Sequence, residues 1–134
     1  MSEASRKSRL GRIEWMDLTV PDASQVSEFY SQVVGWSRSE VPVADYQDYC
    51  VGPDGENIVA GICHARGENA GLPAAWLIYI NVDDIDASLQ AVAAAGGKVH
   101  GEVRTLSGHG RCCLIEDPAG AKCMLFEPEA KSED

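Results

Sequence analysis

The sequence is short of basic residues. Eleven Lys and Arg stand against 21 Asp and Glu, for a net charge of −10 over 134 residues. A nucleic-acid binder neutralises phosphates with clustered cations, so this balance argues against a nucleic-acid partner. The few clustered basic groups, Arg6, Lys7, Arg9 and Arg12, stand near the N-terminus and read as part of a solubilising tail. Long apolar runs are missing too. No stretch approaches the ~18 residues needed to cross a bilayer, and the polar start, Met1 to Arg9, has no apolar signal-peptide core. Neither a membrane nor export is expected. Paired C-x₂₋₄-C cysteines, the usual zinc signature, do not occur. The five cysteines (50, 63, 112, 113 and 123) are odd in number and sit mostly in apolar runs. They read as small hydrophobes in a reduced, cytoplasmic chain. Nucleophile elbow, P-loop and dinucleotide fingerprint are likewise missing.

What is present is a repeat. Trp15-Met-Asp-Leu-Thr-Val-Pro-Asp22 has the same form as Leu77-Ile-Tyr-Ile-Asn-Val-Asp-Asp84. Val20 maps to Val82, Asp22 to Asp84 and Gly35 to Gly97, and further on Pro53-Asp-Gly55 maps to Pro118-Ala-Gly120. The common order and nearly constant offset point to duplication. Each copy reads strand, helix, then three strands. Strands are expected near 11–20, 38–43, 46–51 and 57–63, and again near 75–82, 98–104, 111–116 and 121–127. Asp22 has the character of a helix N-cap, with Gln25 three residues on. Val26, Phe29, Tyr30, Val33 and Val34 follow at helical spacing, and Gly35 is the stop. Ile85, Leu89, Val92 and Ala93 do the same before Gly96-Gly97. The expected fold is therefore α+β: two βαβββ modules forming a half-open, curved mixed sheet. Residues 1–10 are a flexible tail and 11–128 a single domain, with modules at about 11–63 and 75–128 joined by a linker at 64–74. Residues 129–134 are an acidic tail.

Three stretches and one closing run resemble the vicinal oxygen chelate superfamily of glyoxalases, bleomycin-resistance proteins and dioxygenases. They are Ile13-Glu-Trp-Met-Asp-Leu-Thr-Val-Pro-Asp22, Phe29-Tyr-Ser-Gln-Val-Val-Gly-Trp36, Val82-Asp-Asp84 and Asp117-Pro-Ala-Gly-Ala-Lys-Cys-Met-Leu-Phe-Glu-Pro128. The resemblance implies a metal held by residues on the first and last strand of each module. By the family's spacing these positions are Trp15, Leu77, Met124 and, in the first module, Val59 or Ala60. None offers a hard donor, so neither metal nor other cofactor is expected. The resemblance also implies a homodimer, for which the exposed edges of an open sheet give a motive.

Strand alternation places Trp15 on the same face as Asp17 and Thr19, and Leu77 on the same face as Tyr79 and Asn81. Asp17 and Tyr79 occupy equivalent places. They are read either as a structural hydrogen bond or as an acid–base couple, with His64 as a further candidate base. Tyr46 and Asp48 share one strand face and Tyr49 takes the other. These aromatics, with the linker residues Arg66 and Asn69, are candidate ligand contacts beside Trp15, Leu77 and Met124. Arg66 is suited to clamping a carboxylate or phosphate. Two functions follow. One is metal-free binding of a small amphipathic or aromatic molecule. The other is an enzyme of lyase, isomerase or dioxygenase type, either metal-free through Asp17, Tyr79 and His64 or using unorthodox metal ligands such as Asp17, His64 or Glu102.

Overall fold

A computed structural model describes residues 7–129. The tail residues 1–6, with Arg6, and 130–134 lie outside the described residues. The described chain forms eight strands and two α-helices: β1 (Ile13–Val20), α1 (Ala23–Val34), β2 (Ser37–Val43), β3 (Tyr46–Gly52), β4 (Ala60–His64), β5 (Trp76–Asn81), α2 (Ile85–Ala94), β6 (Lys98–Leu106), β7 (Gly110–Glu116) and β8 (Lys122–Pro128). A single 3₁₀ turn, Gly67–Asn69, lies in the linker. The chain divides into two compact units, one being Trp15–Leu77 and the other the residues up to Glu14 together with those from Ile78.

In the first unit the strand order is β2-β3-β4-β1, with β1 parallel to β4 and the other pairs antiparallel. In the second, β5 lies parallel to β8, and β8-β7-β6 continue antiparallel. Each unit is thus an open mixed sheet with one helix, and the two share one topology.

The helices form where the caps direct. Asp22 accepts the Gln25 N–H at 3.0 Å, and Gly35, at φ 77°, closes α1 by donating its N–H to the Ser31 carbonyl. Asp84 caps α2 in the same way through Ala87, at 3.2 Å. The buried stripe of α1 is narrower than its apolar pattern. Ala23 and Ser27 are buried and Val26 and Tyr30 pack on the core, whereas Phe29, Val33 and Val34 are exposed. One four-stranded sheet covers only the i, i+3, i+4, i+7 track of a helix. The first core joins Leu18, Val20, Tyr49, Val51, Ala60 and Ile62 to α1, with Tyr30, Trp36 and Trp76 stacked edge-on or tilted beside it. The second joins Ile85, Cys113 and Leu125 with Leu89, Val92 and Ile115.

Residues just before β1 are tied down within the second unit. Gly11 and Arg12 exchange backbone bonds with Asn81, whose buried side chain donates to the Arg9 carbonyl and to Glu14, each at 3.0 Å. Asn81, expected on a ligand-facing side, is therefore occupied as a structural tie. Among the described residues β2 and β6 each have a ladder on one side only; β2 contains Pro42, and the register of β6 shifts between His100 and Arg104.

Candidate active site on the open face of the first module

The ladders decide which side chains meet. Asp17 stands opposite Gly61 and Thr19 opposite Cys63, while Gly61 stands opposite Cys50. Alternation then puts Trp15, Asp17, Asp48, Cys50, Gly61 and Cys63 on the face turned away from α1. Leu18, Tyr49, Ala60 and Ile62 take the helix side, where the core contains them.

On the open face the Trp15 indole N–H donates to Asp17 Oδ1 at 2.7 Å. Asp17 is half-buried, a setting in which a polar group needs a hydrogen-bond partner. Gly61 makes room for it: a Cβ there would collide with Asp17 Oδ1 and stand 3.4 Å from the Trp15 ring. Asp48 accepts the His64 backbone N–H at 2.8 Å. Burial pushes the Cys63 thiol far up, reinforced by the negative charges of Asp17 and Asp48, and burial raises Cys50 likewise. These thiols are protonated, poor nucleophiles.

The ladders also locate the family's metal-ligand positions. In the second module Tyr79 stands opposite Met124. Its counterpart Asp17 stands opposite Gly61, so the first-module equivalent of Met124 is Gly61 rather than Val59 or Ala60. The turn after Asp54 causes the shift. Asp54 accepts from the backbone of Glu56 and Asn57 and from the Asn57 amide, and Val59 bonds back to Val51. The extra residues carry Val59 ahead of the strand and set Ala60 into the helix-side core. The four positions hold an indole already donating to Asp17, a glycine, a buried Leu77 and a buried Met124. This donor set does not fit a hard cation. Among the described residues no group of three or more His, Cys, Asp or Glu is placed to hold a metal ion.

The other proposed contacts separate. Tyr49 is core, with the Arg38 guanidinium 5.1 Å from its ring centroid. His64 lies on the helix side of β4, across the sheet from Asp17, so these two cannot act on one atom as a couple. His64 instead lines a groove with Pro42, Ala44, Asp45, Tyr46, Gln47 and Tyr49. The Tyr46 ring stands edge-on to His64 at 5.5 Å, and Arg66 stacks over Tyr46 at 4.0 Å while pairing with Asp45 at 3.3 Å. Alternation alone pointed to neither His64 nor Gln47 beside Tyr46, because Tyr46 opens β3, beyond the part paired with β4. Asn69 ends the 3₁₀ turn and is not among the groove-lining residues.

In the second unit Tyr79 is buried, with its ring 6.3 Å from that of Phe126. His100 meets Glu116, Nε2 to Oε1 at 2.8 Å, as its same-face diagonal neighbour in the regular Lys98–His100 part of the β6–β7 ladder. The His100 imidazole holds the Glu116 carboxyl below its ordinary range against slight desolvation, helped by Lys98 and Lys122. A depressed acid contributes stability above its unfolded-state pKa and loses it as pH falls through the folded value. Replacing His100 with alanine is expected to raise the Glu116 midpoint towards that of a free glutamate. An NMR pH titration of the Glu116 carboxyl checks this; an unmoved midpoint refutes the assignment.

A family model described as Glyoxalase/Bleomycin resistance protein/Dioxygenase superfamily matches residues 12–125. The chain belongs to that superfamily. Among curated members, a putative glyoxylase of Mycobacterium bovis, CFP32, is 33% identical over 121 residues, covering 89% of this chain and 46% of its own length. The anthracycline biosynthesis protein DnrV of Streptomyces peucetius is 29% identical, covering 87% and 46%. The chain thus spans about half the length of these superfamily relatives. Among solved structures, methylmalonyl-CoA epimerase from Mycobacterium tuberculosis superposes with a TM-score of 0.56 at 18% identity, covering 91% of each chain. A superfamily member from Vibrio splendidus gives 0.57 at 16% identity, covering 87% of this chain and 97% of its own. These likenesses establish the superfamily's open, two-module fold.

Proposed function

We propose that this superfamily member binds a small amphipathic or aromatic molecule on the open face of its first module, without a metal. The supporting observation is the Asp17 carboxylate, fixed by the Trp15 indole and seated over Gly61. It is an oriented hydrogen-bond acceptor beside a large aromatic surface, standing where the superfamily's metal chemistry would otherwise need donors. The likeness to the anthracycline biosynthesis protein DnrV favours a flat, aromatic ligand. The same carboxylate favours one enzymatic reading, in which Asp17 accepts a proton from a bound carbon or oxygen acid. His64, on the other sheet face, takes no part in it. A homodimer accompanies the proposal, because relatives of about twice this length contain room for two such domains.

The test is a thermal-shift screen of the purified protein against aromatic polyketides and smaller phenols, with and without EDTA. A ligand raises the melting temperature by mass action. The expected hit survives EDTA and loses about tenfold in affinity on Asp17→Asn, the scale of one charged hydrogen bond. A stoichiometric divalent ion required for binding, or full affinity in the variant, overturns the reading.

A further inference from the structure

The groove on the helix side of the first module is separate from the open face, because its residues Pro42, Gln47, Tyr49 and His64 all alternate towards α1. We propose that it is a second binding site and that it takes a small aromatic carboxylate.

Its size suits such a ligand. It is a shallow groove open to solvent, with about 460 Å³ of space, enough for a ligand of single-ring size that stays partly exposed. Pro42, Ala44 and the ring of Tyr46 supply the apolar part of a lining that is mostly polar.

The polar groups define the ligand's charge. His64 Nδ1 lies 3.3 Å from the Ala23 N–H and 3.4 Å from the Pro21 carbonyl. It can accept from the first or donate to the second. Ala23 is fully buried at the start of α1, and an unsatisfied buried N–H is costly, whereas a carbonyl tolerates a missing partner better. Nδ1 is therefore the acceptor, and in the neutral ring the proton resides on Nε2. His64 thus offers a fixed N–H donor. Arg66, outside the groove's lining but stacked over its Tyr46, supplies the second group. Its guanidinium lies over the Tyr46 ring and is held to Asp45 by a bridge whose acid is 83% exposed. A bridge that open is weak. A carboxylate arriving from solvent can take the place of Asp45 on the guanidinium, with its ring against the apolar walls. Asp45 itself, with Glu40 opposite Tyr49 on the same strand face, opposes a doubly charged group such as phosphate. One guanidinium and one imidazole N–H match a single carboxylate.

The experiment is an NMR titration of the full chain with benzoate, with benzamide as its uncharged counterpart. Benzoate is expected to bind with a Kd below about 1 mM, shifting the amides of Tyr46, His64 and Arg66. Benzamide is expected to bind about tenfold more weakly, and Arg66→Gln to lose about tenfold for benzoate. Asp45→Asn is expected to tighten benzoate binding, since it removes the internal competitor. Asp17→Asn is expected to leave it unchanged, which separates this site from the one proposed on the open face. The proposal is overturned by no binding at about 10 mM, by equal affinity for benzamide, or by shifts centred on Trp15 and Asp17. Benzoate affinity unaltered in both Arg66→Gln and Asp45→Asn, each checked for native folding by circular dichroism, overturns it as well.

Discussion

Replacing Ile62 with alanine is expected to cost about 3–4 kcal/mol of folding stability, read as a fall in the urea midpoint at constant slope. Ile62 is fully buried at the centre of the first core, flanked across the ladders by Leu18 and Tyr49. Its removal deletes three carbons from a space that the surrounding side chains cannot readily fill. Strand neighbours on both sides fix the backbone, so collapse into the cavity is limited. A loss below about 1 kcal/mol would mean that this core is loosely packed and that the helix is not seated on β4 as described.

One residue earlier, the other face of the same strand gives the second large effect. Gly61→Ala is expected to cost about 2 kcal/mol, although alanine normally improves on glycine in a strand. The added methyl would collide with Asp17 Oδ1. To escape, Asp17 must turn away and give up the indole hydrogen bond. The diagnostic measurement is a double-mutant cycle. In an Asp17→Ala background the carboxylate is gone, and Gly61→Ala is expected to become neutral or stabilising. Additive losses would show that the cost arises from backbone strain instead. The cycle is informative because it tests the seat of the carboxylate without knowledge of any ligand.

Neighbouring residues thus separate what the sequence displayed from what it concealed. Most strands, both helices and the Asp22 cap are local phenomena, set by alternation, by 3.6-residue spacing and by an acid at the right offset, and these were readable from the chain; the strand expected at 57–63 instead begins at Ala60. The 62-residue repeat set Asp17 and Tyr79 at equivalent places, and each faces the last strand of its own module at the corresponding ladder position. The position of Gly61 was hidden because the turn after Asp54 contains extra residues, and a count from the glycine of that turn slips along β4. Only the β1–β4 ladder restores the count. Tyr49 and His64 were unclear for a different reason. Alternation says that two residues differ in face, but it does not say which face the helix covers. The outer residues of α1, Phe29, Val33 and Val34, show the complementary limit: spacing reveals an apolar stripe, and the width of the sheet decides how much of it is buried.

The two strands bearing a ladder on one side only have a consequence for the protein as a material. A straight strand with free backbone groups is a template on which identical chains stack into fibrils. In β2, Pro42 lacks the amide proton that such stacking would use. In β6, the register shift between His100 and Arg104 bends the strand out of line. Both interruptions oppose templated growth, and the net charge of −10 adds repulsion between approaching copies. Together these features oppose templated strand-on-strand growth at the outer sides of β2 and β6.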